Sequence, residues 1–375
     1  MYKKYLNNDQ LNFQINRFLE PYYSNDEVQF EVKKACQEIT DLDSWFTQWN
    51  KLANKKRRLQ LFDLAAAYYQ LADFFLKESD PRKIKTYNLF KECFYQSTSN
   101  TPVELIDVPY KNSFLPTAII EQETANEWLV FHGGFDSYLE ELIRLSITHL
   151  STLKNYNILM FEGPGQGQVC KNEIPMTSKW EEPVSVILDF YHLKDVCLLG
   201  MSLGGYLALR AAAKEKRVTK VIAFDTFYCM EDSFLMNAPE NISCIPNILD
   251  KKTATTINLL LDEYAKQNID LMFKINKAKE IFGVETPAEI LMEIKKYTLN
   301  GIEKDITQDV LLLAGSEDMY VPINRTNFLQ TKMINASTVK AVIFDKSTGG
   351  QYHCQVGNKS IAFQEINNFL NRHQK

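Results

Sequence analysis

Six short apolar runs, separated by stretches with helical periodicity, constrain the fold of this chain more than any other feature. They lie at Trp128–Phe131, Asn157–Phe161, Asp195–Leu199, Lys220–Phe224, Asp309–Leu313 and Val339–Phe344. Strands with few polar residues indicate a sheet that is covered on both faces, and strands that alternate with helices indicate mostly parallel order. The sequence therefore predicts an α/β protein whose mostly parallel sheet is flanked by helices.

The first hundred residues follow a different pattern. They contain no glycine, and apolar residues recur at spacings of three and four, which predicts helices. Asp80-Pro81 indicates a helix start, and this helix should run to about Ser97. Thr101-Pro102 ends the pattern. We therefore expect an all-helical amino-terminal region at 1–100.

A second helical segment interrupts the α/β pattern between the fourth and fifth runs. The stretch Ile257–Phe273 predicts an apolar helix, and Thr286-Pro287-Ala288-Glu289 has the spacing of a capping box. No convincing strand lies in this interval. We expect a helical cap at 228–308, inserted into an α/β core formed by 101–227 and 309–375.

A serine lies in a glycine-flanked turn directly after the third run. The turn is Gly200-Met201-Ser202-Leu203-Gly204, and a helix-forming segment follows it. Small residues two before and two after a serine allow a turn so sharp that the hydroxyl is exposed at the top of the sheet. We interpret Ser202 as a nucleophile. A serine hydroxyl is weak in this role unless a histidine takes its proton and a carboxylate orients that histidine.

The positions of the five histidines favour His353 as the base. His353 follows the last predicted strand, where the chain order serine, acid, histidine puts the base. The others lie in a glycine loop, on a helix, before the nucleophile strand and near the chain end: His132, His149, His192 and His373. Asp318, after the fifth run, is the favoured acid. Asp225, at the end of the fourth run, is the alternative.

A glycine-containing loop follows the first run, at Phe131–Asp136. Attack of a serine on a carbonyl creates a negative oxygen, which backbone amides usually stabilise. We expect the amides of Gly134 and Leu203 to form this oxyanion hole, with Phe135 as the alternative donor.

Further substrate contacts are expected beside these loops. Glu162 begins the turn Glu162–Gly167 and either contacts the substrate or holds the turn. This turn lacks the Gly-Lys-Ser/Thr ending and the Rossmann spacing of glycines, so no nucleotide cofactor is expected. No metal is expected either. The remaining predicted substrate contacts are Phe135, Met201 and Phe227.

Charge and cysteine content limit the partners and the compartment. The net charge is −5, which argues against a general nucleic-acid binder. The one dense basic run, Lys55–Arg58, is predicted to be a solvated face where a helix begins.

Seven cysteines without a Cys-x-x-Cys pair fit a reducing compartment. The amino terminus lacks a secretory signal, and the apolar stretch Val196–Leu209 is too short for a bilayer. We expect a cytoplasmic protein with no membrane partner.

Five motifs together resemble a group of α/β-hydrolases that has an all-helical amino-terminal region. They are His132–Asp136, Glu162–Gly167, Gly200–Gly205, Gly315–Asp318 and His353–Asn358. The group includes 2,6-dihydroxypseudooxynicotine hydrolase and the polyketide-shortening hydrolases of pigment pathways. The resemblance implies the α/β-hydrolase fold with Ser202, Asp318 and His353 as the catalytic triad.

The resemblance implies two reactions, because members cleave esters or carbon–carbon bonds beside a ketone. Glu162 in the glycine–proline turn is similar to the polyketide-shortening members. This favours retro-Claisen cleavage of a β-diketone-like or aromatic polyketide small molecule in pigment or secondary metabolite biosynthesis. A carboxylesterase or thioesterase would use the same triad, and a non-catalytic binding protein on this fold is the alternative of another class. We also expect a homodimer.

Overall fold

The structure, a computed structural model, describes residues 1–236 and 250–371. Two segments lie outside the described residues: 237–249, which belongs to the predicted cap and holds Cys244, and 372–375, which holds His373. The chain divides into two units. The first is Met1–Pro102 with Val356–Asn358, and the second is Val103–Gln355 with Lys359–Lys375.

The first unit is built from helices, as the periodicity predicts. Their bounds are α1 (Asp9–Leu19), α2 (Asp26–Gln37), α3 (Leu42–Arg58), α4 (Phe62–Phe74) and α5 (Lys83–Ser97), with a 3-10 turn at Glu20–Tyr22. The side chains of Asn8, Asn25 and Asp41 accept hydrogen bonds from the first-turn amides of α1, α2 and α3. These caps fix where the three helices begin.

Two details of the predicted helices are wrong. The basic run Lys55–Arg58 forms the last turn of α3, where the carbonyl end of the helix stabilises positive charge. Lys56 in this run is buried and lies 2.7 Å from the Glu31 carboxylate, so the run is not a uniformly solvated face. The helix α5 begins at Lys83, because the Asp80 carboxylate accepts hydrogen bonds from the amide and guanidinium of Arg82 in a preceding turn.

A sheet of eight strands forms the centre of the described part of the second unit. The strands are β1 (Glu104–Tyr110), β2 (Ser113–Ile120), β3 (Glu127–His132), β4 (Tyr156–Phe161), β5 (Val196–Met201), β6 (Val218–Phe224), β7 (Asp309–Gly315) and β8 (Thr338–Phe344). Their order is β1-β2-β4-β3-β5-β6-β7-β8. The strands β3 to β8 pair in parallel, whereas β2 is antiparallel to both neighbours. All six predicted strands are confirmed, and β1 and β2 are not among these six.

Helices flank this sheet and also fill the interval between β6 and β7. Four helices come before that interval: α6 (Leu139–Thr148), α7 (Gly167–Lys171), α8 (Glu181–Phe190) and α9 (Gly204–Ala212). The interval holds α10 (Met230–Leu235), α11 (Lys251–Ala265), α12 (Ile269–Phe282) and α13 (Pro287–Ile294), and the chain continues with α14 (Asn324–Lys332) and α15 (Lys359–Leu370). In the described ranges, no helix has the length and apolar character that crossing a bilayer requires.

The helices α10 to α13 refine the predicted helical interval. The capping box of Thr286 and Glu289 is confirmed at the start of α13. The stretch Ile257–Phe273, however, is divided between α11 and α12 rather than forming one helix. Asn268 causes the break, because its side chain accepts the Leu271 amide and so starts a new helix.

The strand register places the carboxyl ends of four parallel strands at one edge of the sheet. His132 pairs with Gly200, Met201 with Phe224, and Phe224 with Leu313. The loops that follow β3, β5, β6 and β7 therefore meet, and in open α/β sheets ligands bind at this edge.

Candidate active site

Ser202 occupies the sharp turn between β5 and α9. Its φ of 63° lies in the left-handed region, which a non-glycine residue adopts only when its surroundings hold it. The Ser202 amide donates to the Phe224 carbonyl, and the Gly205 amide donates to the Ser202 carbonyl at 2.8 Å. A Cβ at Gly200 would lie 1.9 Å from the Gly204 carbonyl oxygen. The turn therefore requires glycine at position 200, as the sequence indicates.

Ser202, His353 and Asp318 lie in one chain of hydrogen bonds. The Nε2 atom of His353 is 2.9 Å from the Oγ of Ser202, and Nδ1 is 2.7 Å from the Oδ2 of Asp318. The Oδ1 of Asp318 accepts the amides of Tyr320 at 2.7 Å and Val321 at 3.0 Å, which fix the carboxylate. The structure thus brings together the three residues that the sequence selects.

Asp225, the alternative acid, lies beside the same imidazole ring. Its Oδ2 is 3.2 Å from the Nδ1 of His353, compared with 2.7 Å for Asp318. The same oxygen accepts the Cys354 amide at 2.6 Å, and Asp225 is fully buried. The shorter distance favours Asp318 as the partner of the ring, while Asp225 remains in contact with it.

The charges of these buried groups determine which of them holds a proton. Burial, and then the charge of Asp318, raise the pKa of Asp225 to about 7. Burial also acts to raise the pKa of Asp318, but the charge of His353 and the hydrogen bonds outweigh it and lower this pKa. Burial acts to lower the pKa of His353, yet the charge of Asp318 raises it well above 6.5. Asp318 therefore stays ionised, and His353 is a strong proton acceptor.

The loop after β3 approaches the serine turn. A Cβ at Gly134 would lie 2.7 Å from the Leu203 amide nitrogen, so only glycine allows this approach. Gln166 holds the loop, because its side-chain amide donates to the carbonyls of Gly133 at 2.8 Å and Gly134 at 2.9 Å. Its oxygen accepts the Gly163 amide at 2.9 Å. Gln166 was not predicted from the sequence, although its place in a glycine-rich turn was a usable signal.

His132 supports this loop and takes no part in the hydrogen bonds of Ser202. Its Nε2 accepts the indole N–H of Trp180 at 3.2 Å, and its Nδ1 lies 3.0 Å from the Gly133 carbonyl. Burial lowers the pKa of His132 to about 4, so the ring is neutral at pH 7.

Glu162 is buried, and backbone amides occupy both of its carboxylate oxygens. Oε1 accepts the Leu139 amide at 2.7 Å, and Oε2 accepts the Gln168 amide at 2.7 Å. These amides belong to the first turns of α6 and α7. The geometry favours the second of the two expected roles, in which Glu162 holds the turn.

Aromatic side chains surround the other predicted contact positions. Half-buried Phe135 packs edge-on against Phe234 and Phe282, with centroid distances of 6.2 and 6.4 Å. Phe227 lies 5.9 Å from the His353 ring. Met201 directly precedes Ser202 and is 8% exposed.

Two residues near His353 were missed from the sequence. The ring of Tyr320 lies 4.9 Å from the His353 ring, and Lys274 of α12 places its Nζ 5.0 Å from the centre of the Tyr320 ring. The Lys274 side chain is buried, pairs with Asp270 at 2.7 Å and donates to the Ser233 carbonyl at 3.1 Å. Tyr320 follows Asp318 by two positions, which was a weak sequence signal that it lies near the site. The sequence around Lys274 gave no such signal.

One group of potential metal ligands occurs in the described residues. Ligand atoms of Asp225, His353 and Cys354 lie within 4.8 Å of one another. The Nδ1 of His353 is already bonded to Asp318, and burial raises the pKa of the Cys354 thiol. A protonated thiol is a poor metal ligand, so the arrangement fits proton transfer better than metal binding.

Comparisons with known proteins agree with this fold. No protein-family model matches the chain. The α/β-hydrolase xenA of Xenoacremonium sinensis is 24% identical, with 96% of each chain covered. The 20-hydroxy-prefusarin hydrolase FUS2 of Gibberella moniliformis is also 24% identical, with 88% of each chain covered.

Two solved structures resemble the chain over nearly its full length. The 2,6-dihydroxy-pseudo-oxynicotine hydrolase gives a TM-score of 0.68 at 20% identity and covers 95% of this chain and 94% of its own. AbyA5 gives a TM-score of 0.70 at 16% identity and covers 97% and 95%. The chain thus has the α/β-hydrolase fold. More particularly, the predicted resemblance to hydrolases with a helical amino-terminal region is confirmed.

Proposed function

We propose that the chain is a serine hydrolase that cleaves a carbon–carbon bond beside a ketone in a β-diketone-like or aromatic polyketide substrate. The observation that carries the proposal is the chain of hydrogen bonds from Asp318 through His353 to Ser202. A buried acid, a base with a raised pKa and a serine in a sharp turn are the parts that nucleophilic catalysis needs.

In the proposed reaction, Ser202 attacks the carbonyl carbon while His353 takes the proton from its Oγ. The amides of Gly134 and Leu203 stabilise the oxyanion. The tetrahedral intermediate collapses, the carbon–carbon bond breaks, and the leaving enolate carbon takes the proton from His353. Water then gives a proton to His353 and its hydroxide adds to the acyl carbon. Ser202 leaves with that proton, and a carboxylic acid is released.

The environment of His353 supports a flat apolar substrate. Phe227 and Tyr320 place aromatic rings against the imidazole, which suits a flat apolar ligand. The similarity of the Glu162 turn to polyketide-shortening members favours a polyketide substrate.

The proposal is tested by mass spectrometry of the products. Wild-type protein, Ser202→Ala and the exposed-serine control Ser151→Ala are each incubated with 1-phenylbutane-1,3-dione and with 4-nitrophenyl acetate. We expect wild type and Ser151→Ala to split the diketone into one acid and one ketone, and Ser202→Ala to leave it intact. Turnover of the ester alone would replace carbon–carbon cleavage by the carboxylesterase or thioesterase alternative. If neither compound is turned over and a fluorophosphonate probe does not label Ser202, the binding-protein alternative is favoured.

A further inference from the structure

Two consecutive residues after His353 adopt left-handed backbone. The φ angles are 48° for Cys354 and 47° for Gln355, and non-glycine residues keep such angles only where other groups hold them. Asp225 contacts both. Its Oδ2 accepts the Cys354 amide at 2.6 Å, and its Oδ1 lies 3.4 Å from the Gln355 side-chain nitrogen. The Asp225 carboxyl thus anchors the loop that carries His353.

The same carboxyl also faces the reactive ring. Asp225 Oδ2 lies 3.2 Å from the Nδ1 of His353, the atom that Asp318 contacts at 2.7 Å. The carboxyls come from different loops, after β6 and β7, and both are buried. An N–H that lies between two carboxyls has a second acceptor within reach if the first is lost.

We propose that Asp225 is a second acid of this site, which positions the His353 loop and orients the imidazole in place of Asp318 when Asp318 carries no charge. The inference rests on the proposed serine mechanism. Two carboxyls this close hold one proton between them. While Asp318 is ionised, the pKa of Asp225 is raised to about 7, so below that pH Asp225 holds the proton.

Neutralising Asp318 removes the charge that opposes ionisation of Asp225. The other ionisable groups facing Asp225 are His353 and the Cys354 thiol, and the thiol stays protonated. In the Asp318→Asn protein, Asp225 therefore becomes the carboxylate that faces Nδ1.

A fluorophosphonate probe reports how fast Ser202 reacts, and so tests the role of Asp225 without the natural substrate. Ser202 Oγ forms a bond to phosphorus, fluoride leaves, and the serine proton passes to His353. The rate of labelling is measured for wild type, Asp225→Asn, Asp318→Asn and the double variant. Loss of the only acid of a triad typically costs about 10⁴-fold. We expect Asp318→Asn to lose about 100-fold or less, and the double variant to lose about 10⁴-fold.

The decisive quantity is the cost of Asp225→Asn in the two backgrounds. We expect Asp225→Asn to cost only a few-fold when Asp318 is present, because asparagine still accepts the Cys354 amide, and about 100-fold when Asp318 is absent. An equal cost in both backgrounds, or a loss of about 10⁴-fold in Asp318→Asn alone, would reduce Asp225 to a structural residue. Since Asp318→Asn is informative alone, the test survives a double variant that does not fold.

A control variant separates this effect from general destabilisation. Asp73 of the first unit is also buried and pairs with Lys83 at 2.7 Å. Asp73→Asn should reduce the unfolding temperature but change labelling by the same small factor in both backgrounds. If wild type is not labelled at Ser202, the proposed function itself fails. If it is labelled and the costs are additive, only the role of Asp225 fails.

Discussion

The Nε2 atom of His353 lies 2.9 Å from the Oγ of Ser202, although 151 residues separate them in sequence. The Ser202 turn follows β5 in the middle of the sheet, and the His353 loop follows β8 at its edge. Asp225 and Asp318, from the loops after β6 and β7, lie between these positions and contact the far side of the imidazole. Proton transfer from Ser202 to His353 is the step on which the following expectations depend.

The first prediction concerns pH. Only the neutral imidazole accepts the serine proton, so the labelling rate should rise with pH through the pKa of His353. Because Asp318 raises that pKa well above 6.5, the midpoint should lie above 6.5, and replacing both Asp225 and Asp318 with asparagine should move it down. Labelling rates from pH 5 to 10 check this. A wild-type midpoint below 6.5 would contradict the assigned charges.

The second prediction concerns the loop after β3, where Gly134 is proposed to contribute to the oxyanion hole. A Cβ at Gly134 would lie 2.7 Å from the Leu203 nitrogen and 2.9 Å from the Met201 carbonyl oxygen, so Gly134→Ala must push the loop away from the serine turn. We expect kcat to fall by about 100-fold or more.

Gly301→Ala is the matched control for Gly134→Ala. Its φ of 85° is left-handed, unlike that of Gly134, and no atom lies within 4 Å of the added Cβ. This control should lose some stability and keep its kcat. An active Gly134→Ala protein would argue against an oxyanion hole at this loop.

The third prediction concerns Glu162. In Glu162→Gln, the new NH₂ group faces one of the two backbone N–H groups that donate to the carboxylate in the wild-type protein. A buried donor without a partner costs about 1–3 kcal/mol, which thermal unfolding should detect, while KM stays unchanged. A raised KM with unchanged stability would instead support direct substrate contact by Glu162.

The fourth prediction concerns the aromatic residues next to the loop. Phe135 contacts Phe234 and Phe282, and its truncation to alanine removes apolar surface that a substrate would cover. Burial of one such side chain contributes about 1.5–3 kcal/mol, so we expect KM to rise about tenfold or more with little change in kcat. Phe190, which is 44% exposed on α8, provides the control: Phe190→Ala should leave KM unchanged.

The sequence predicts features that neighbouring residues determine. Five of the six apolar runs, β3 to β7, have largely buried side chains. In β8, at the edge of the sheet, only Phe344 is buried. The Ser202 turn needed only its local glycines. The strand β2 escaped prediction because it contains Pro116, which has no amide hydrogen and normally argues against a strand. Even so, the Pro116 carbonyl accepts the Glu162 amide at 3.0 Å.

Features that depend on packing between distant segments could not be predicted. The sequence favoured Asp318 over Asp225, but only the packing of the loops shows that both carboxyls reach the Nδ1 of His353, at 2.7 and 3.2 Å. Lys274 lies on an insertion, and only the fold brings it over Tyr320. Lys56 was expected in solvent, but its pairing with Glu31 requires α2 and α3 to pack together.

The most direct test of the central claim is detection of an acyl group on Ser202. Wild-type and Ser202→Ala protein are mixed with 4-nitrophenyl acetate, quenched in acid within the first turnover, digested and analysed by peptide mass spectrometry. The account predicts one acetyl group on the wild-type peptide that contains Ser202, and none on the variant peptide. Turnover of the ester by the Ser202→Ala protein at the wild-type rate would contradict it.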